Sequence, residues 1–235
     1  MDITILSLFP QMFESPFTSS IIGRAVKNEM IHLQYINIRD FASDAYKTVD
    51  EKPYGGGVGM IMKVDIADRA IQYAKSLHKD EASVVILLDP QGKPYKQADA
   101  QSLSKKEHVI FLCPRYEGID ERIRTLVDLQ YSIGDYILTG GEIPAMVIID
   151  SVVRLIPGVL GKDDSSISES FTNPNLLEGP QYTNPQTYKN MVVPEVLLSG
   201  NHKKIEAWKK EQAMKSTDIR RPDLRNDKSL NLTDK

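Results

Sequence analysis

Two uninterrupted apolar runs, SVVILL at residues 83–88 and HVIFLC at residues 108–113, constrain this chain more than any other feature. A strand with one face in water alternates apolar and polar residues. A run that does not alternate has to be covered on both faces. The first run is ended by Asp89-Pro90-Gln91-Gly92 and the second by Pro114, both strong turn signals. Two such strands require helices above and below a mainly parallel sheet, which is an α/β fold.

The rest of the chain supplies that pattern. DITILSL at residues 2–8 reads as a buried first strand, and HLQYINI at 32–38 as a second. Between them Ser15-Pro16 marks a helix start, with Phe17, Ile21, Ile22 and Ala25 at helical spacing to about Asn28. Ile66, Ala67, Ala70, Ile71 and Ala74 share one face of a helix over residues 64–77. Further helices are predicted at 97–104, 119–127 and 142–154, with a short strand at 130–133. Residues 40–62, centred on PYGGGVGM, have neither period, and loops of that length are usually functional.

Residues 158–174 (GVLGKDDSSISESFTNP) lose periodicity and read as a linker. The expected division is a domain at 1–160, a linker at 161–175 and a small helical domain at 176–235. The last carries a helix capped by Asn201, with Ile205 and Trp208 on one side and lysines on the other. Its final ten residues are expected to fray.

No apolar run approaches the roughly 20 residues that cross a bilayer, so the expectation is a cytoplasmic protein without a membrane partner. The single Cys113 and four scattered histidines leave no cysteine cluster and no metal-ligand spacing. A net charge of -3 argues against gripping nucleic acid by bulk charge. From Leu176 onward, however, 11 basic residues face 8 acidic ones. Any nucleic-acid grip would therefore draw on the C-terminal end.

Three polar segments each follow a strand: DPQGKPY at 89–95, PRYEGIDER at 114–122 and GDYILTGGE at 134–142. In open α/β sheets ligands bind beyond the carboxyl ends of the strands, so these segments are expected to line one crevice. The stretch from 111 to 145 gives up many positions to glycine and charge, which is costly for mere scaffold. Neither a GxGxxG fingerprint nor a GxxxxGK[ST] loop is present, which disfavours a dinucleotide or P-loop site.

Five motifs, PYGGGVGM (53–60), PRYEGIDER (114–122), SIGDYILTGGE (132–142), SVVRLIPGVLG (151–161) and VPEVLLSGNHKKIEAW (193–208), together resemble the bacterial tRNA (guanine-N1)-methyltransferases. The match runs over nearly the whole chain in the right order. The resemblance implies a SPOUT fold with a deep trefoil knot that binds S-adenosylmethionine. It also implies a homodimer with active sites at the subunit interface, a C-terminal domain that holds tRNA, and Mg²⁺ as a possible support, although no carboxylate cage is visible in the sequence. The cofactor positions it implies are Pro90, Tyr116, Glu117, Gly118, Ile133, Gly134, Tyr136, Leu138, Gly140, Gly141 and Pro144. Read without the family, Gly140-Gly141 is an ordinary strand-to-helix turn and Glu117 a solvated charge.

The implied reaction methylates N1 of the guanosine at tRNA position 37, beside the anticodon. That nitrogen carries a proton, so a base is needed, and charge pushed onto O6 calls for a donor there. The resemblance assigns the base to Glu169, in place of the family's aspartate and contributed by the partner subunit, and the O6 donor to Arg154. It puts Asp50 and Arg115 on the tRNA side, and Lys203 and Lys204 belong to a basic helix able to meet phosphates. Taken alone, Glu169 is a solvated loop acid and Arg154 a helix-end cation.

Pro114 stands where the family has glycine, Val58 where it has proline, and Asn184 where it has arginine. A catalytic group misplaced by ~1 Å can cost about 10²-fold, so these departures bear on rate. Two rival readings are a SPOUT enzyme acting on a ribose 2′-hydroxyl, and a noncatalytic RNA- or nucleotide-binding protein disabled by Pro114 and Glu169.

Overall fold

The two apolar runs become neighbouring strands within a five-stranded, wholly parallel sheet. In the computed structural model, residues 1–78, 82–161 and 169–226 are described. They divide into two compact units, Met1–Gly161 and Lys162–Lys235. In the first unit the sheet is built from β1 (Asp2–Ser7), β2 (His32–Asn37), β5 (Ser83–Pro94), β6 (His108–Leu112) and β7 (Leu129–Ser132), in the order β2-β1-β6-β5-β7. A two-stranded antiparallel piece, β3 (Asp50–Glu51) with β4 (Ile61–Met62), clips the long loop at its base.

The sheet explains why the apolar runs do not alternate. Ile86, Leu88, Val109 and Phe111 enter one core cluster with Ala145, Ile148, Ile149, Val152 and Val153 of helix α5 (Glu142–Val153). Val85, Leu87, Ile110 and Leu112 enter the other with the predicted apolar face of α3 (Val64–Ser76). Successive residues of a strand point to opposite faces, so a sheet covered on both sides needs an apolar residue at every position. Helix α4 (Gln97–Leu103) joins β5 to β6.

Three local expectations are corrected. The helix expected between Ser15 and Asn28 is two helices, α1 (Glu14–Phe17) and α2 (Ser20–Lys27), because Ser19 is extended and Ser20 takes φ 56°. Serine competes for backbone hydrogen bonds and so favours such breaks. The helix expected over 119–127 is a 3-10 turn, Glu121–Leu126, whose one buried side chain, Ile123, gives a longer helix no face to bury. Strand β5 does not end at Asp89. After a bulge it pairs with β7 again at Lys93 and Pro94. Gly92 permits this, since a Cβ there would stand 2.6 Å from the backbone N and C of Tyr131.

In the second unit, β8 (Thr187–Tyr188) and β9 (Met191–Val192) form a hairpin whose turn residues Lys189 and Asn190 both have positive φ, the geometry of a tight two-residue hairpin turn. The short α6 (Glu195–Leu198) precedes α7 (His202–Arg220), which Asn201 caps by accepting from the Lys204 N–H at 3.2 Å. A last turn, α8 (Asp223–Asn226), follows. Thr217, fully buried, accepts from the Leu177 N–H at 2.9 Å and so ties the segment after the linker to α7. Residues 162–168 of the expected linker at 161–175, and the tail beyond Asn226, lie outside the described residues.

Candidate active site

The polar segments after β5, β6 and β7 converge on one open cavity of about 580 Å³. The segment after the first half of β5 contributes Asp89, Pro90 and Gln91. That after β6 contributes Pro114, Arg115, Tyr116, Glu117 and Gly118, and that after β7 contributes Ile133, Gly134, Tyr136, Leu138, Gly140 and Gly141. Pro144, in the first turn of α5, completes the wall. All eleven positions expected to hold a cofactor thus line a single space.

Close approach of backbones makes this possible. A Cβ on Gly141 would stand 2.7 Å from Cys113 Cα and 2.9 Å from Pro114 Cδ. The Gly141 N–H donates to the Pro114 carbonyl at 2.9 Å, fastening the loop after β6 to the loop before α5. Proline removes one donor at position 114, but its carbonyl remains and is used here. Tyr116 has φ 67°, which turns the chain sharply into the cavity wall.

Charge is distributed unevenly around the cavity. The Tyr116 phenol is pushed above the usual tyrosine value, first by burial and then by the Asp50 carboxylate, with Arg39 opposing. Arg39 Nη2 donates to that phenol oxygen at 3.4 Å. Asp50 therefore meets the site through Tyr116 and not by lining the cavity. Arg115 lines it, and its Nε donates to Glu142 Oε2 at 3.1 Å.

The remaining expected residues lie elsewhere. Arg154 occupies the C-capping position of α5, half-buried and outside the cavity lining. Glu169 belongs to the second unit, where its carbonyl accepts from the Thr172 N–H at 3.2 Å. Lys203 and Lys204 are exposed in the first turn of α7. Ser168, beside Glu169, lies outside the described residues.

Two residues not singled out from the sequence hold the site together. Arg124 lines the cavity and reaches three segments: Nη1 donates to Gln130 Oε1 at 2.7 Å, Nη2 to Asp89 Oδ2 at 3.3 Å and Nε to Glu121 Oε2 at 3.0 Å. Glu142 is buried beneath the TGG turn. Apart from Glu121, three residues before Arg124, their partners are distant in sequence or sit on another strand, so local spacing does not mark either one.

Among the described residues no group of three or more His, Cys, Asp or Glu side chains is arranged to hold a metal ion. No described helix is long and apolar enough to cross a membrane.

The family model described as tRNA (Guanine-1)-methyltransferase TrmD matches residues 1–227. Among curated proteins, the tRNA (guanine-N(1)-)-methyltransferase of Carboxydothermus hydrogenoformans is 54% identical over 225 residues, covering 95% of this chain and 87% of its own. That of Dictyoglomus turgidum is 49% identical, covering 99% and 93%. The Clostridium botulinum protein of the same name is 49% identical, covering 100% and 97%.

Proposed function

This chain belongs to the tRNA (guanine-1)-methyltransferase family, and on that premise we propose that it methylates N1 of guanosine 37 in tRNA. The donor in this reading is S-adenosylmethionine, and the products are N1-methylguanosine and S-adenosylhomocysteine. The observation that carries the proposal is the convergence of Pro90, the Tyr116–Gly118 turn and the Ile133–Pro144 segment on one cavity.

The cavity fits the donor on three counts. Its size lies within the roughly 300–1,000 Å³ of small-molecule sites. Leu88, Ile133, Leu138 and Pro144 offer apolar surface to an adenine ring, and the close-packed glycine turn exposes backbone donors and acceptors to its polar atoms. Bound there, S-adenosylmethionine supplies an electrophilic methyl group on a sulfonium sulfur. The knot implied by the family would join these loops.

The protein's task is then to manage one proton. Guanine N1 carries a hydrogen that must leave as the N–CH₃ bond forms. Glu169 is the proposed base at N1, contributed by the partner subunit of a homodimer. The Arg154 guanidinium donates to O6, where negative charge gathers as the proton departs. Lys203 and Lys204, exposed on α7, meet tRNA phosphates, while Asp50 and Arg115 belong to the tRNA side. The enzyme works in the bacterial cytoplasm, where its substrate is.

The test is a nucleoside digest of tRNA incubated with the protein and labelled S-adenosylmethionine. Labelled N1-methylguanosine is the expected product. Its absence at saturating donor would refute the proposal, and a 2′-O-methylated nucleoside would reassign the reaction to ribose. Should the wild type be inert and Glu169→Asp active, the chain would instead be a binding protein whose chemistry was lost at that position.

A further inference from the structure

Beneath the cavity, the carboxylate of Glu142 is 1% exposed at the first position of α5. Ser7 Oγ donates to its Oε1 at 2.8 Å, and Arg115 Nε donates to its Oε2 at 3.1 Å. The Arg115 guanidinium is itself packed, with its carbon 4.5 Å from the centre of the Phe9 ring and Nη2 3.0 Å from Met12 Sδ. Four separate segments therefore meet at one ion pair: the end of β1, the turn after it, the loop after β6 and the start of α5.

The pair also fills the space under the turn that lines the cavity. A Cβ on Gly140 would stand 2.5 Å from Glu142 Oε2 and 2.6 Å from Arg115 Nε. Position 140 is thus glycine because the ion pair passes directly beneath it. A buried ion pair is weak grounds for stability, since its desolvation offsets much of its attraction. An apolar filling would hold α5 to the sheet as well. What the pair adds is direction, because a carboxylate accepting from two fixed donors sets both distance and angle.

We propose that Glu142 is a positioning residue of the methyl-donor pocket, holding Arg115 so that the loop after β6 and the turn at Gly140 keep a fixed separation. This rests on the cavity being the donor site, as proposed above. Both loops contribute to the cavity wall, so a change in their separation alters the fit of the donor more than it alters the tRNA side, where Arg115 alone is shared.

The experiment compares wild type, Glu142→Gln and Ser7→Ala by calorimetric binding of S-adenosylmethionine, by KM for donor and for tRNA, and by thermal unfolding. Glutamine keeps the shape but removes the charge that orders Arg115. Donor Kd and KM should rise about tenfold, the size expected for losing one charge-assisted hydrogen bond, while KM for tRNA, to which Arg115 also contributes, rises by a clearly smaller factor. Ser7→Ala, which leaves the ion pair intact, should shift donor binding the same way by a smaller factor. It carries the test if Glu142→Gln does not fold.

A lower Tm with unchanged donor binding in the folded variants would make Glu142 merely structural and overturn the inference. An equal rise in KM for tRNA would overturn it as well. A wild type that binds no S-adenosylmethionine refutes the proposed function and this inference together. A wild type and Glu142→Gln that bind and methylate alike refute the inference alone.

Discussion

Replacing Gly141 with alanine adds one methyl group where two backbones of the cavity wall meet, and its effect can be worked out from contacts. Gly141 has φ -79° and ψ -6°, a conformation any residue adopts, so the backbone itself is not strained. The penalty is steric. The new Cβ would lie 2.7 Å from Cys113 Cα, where ordinary contact begins near 3.4 Å. The two loops must therefore part by about 0.7 Å, since Cα and the Pro114 ring cannot swing away. The hydrogen bond from Gly141 N–H to Pro114 C=O would stretch from 2.9 Å to about 3.6 Å, beyond useful range.

Overpacking of about 1–3 kcal/mol and a lost hydrogen bond of about 1 kcal/mol give a destabilisation of about 2–4 kcal/mol. For a unit of this size each kcal/mol lowers Tm by about 2–4 °C, so a fall of about 4–16 °C is expected. Donor binding should weaken roughly 10–100-fold, because the seam is part of the pocket wall. Differential scanning calorimetry and titration with S-adenosylmethionine measure both. Gly161→Ala is the control, since a Cβ there meets nothing within 4 Å. If Gly141→Ala keeps its Tm within about 2 °C of wild type and binds the donor normally, the two loops are not held at the separation argued here.

Arg124→Ala removes donors from Asp89, Glu121 and Gln130 at once, and urea unfolding should show a loss of about 1–3 kcal/mol with weaker donor binding; an unchanged midpoint would show that these contacts are not made in solution. Thr217→Val keeps the shape of Thr217 but leaves the Leu177 N–H without its acceptor, so Tm should fall by the equivalent of about 1–3 kcal/mol, whereas Thr217→Ser should stay near wild type. His108 is fully buried between Thr4 and Ser83, and its ring centroid lies 4.2 Å from that of His78. Burial, then the neighbouring His78, lower its pKa to about 4, with Asp2 opposing. An unfolded histidine titrates near 6.5, so the unfolded chain binds the proton first. The stabilisation is complete above about pH 6.5 and is lost as pH falls towards 4. Urea midpoints at pH 7, 6 and 5 should decline more steeply for wild type than for His108→Gln, and equal slopes would assign the pH dependence to other groups.

The sequence by itself determined the five segments that form the parallel sheet, though not the two short hairpins β3-β4 and β8-β9, which face of α3 is buried, and that three polar segments gather beyond the strand ends. These follow from periodicity, because burial on one face or two leaves a repeating record in the chain. Its five motifs also carried the family, which the comparisons then showed. The sequence did not reveal that β5 resumes after its bulge, since that depends on a ladder with β7 and on room at Gly92. Nor did it reveal the parts played by Glu142 and Arg124. Ser7 and Glu142 are 135 positions apart, and a hydrogen bond across that distance leaves no mark in local spacing. The tertiary structure alone decided which charges face one another, and with them how firmly the cavity walls are held.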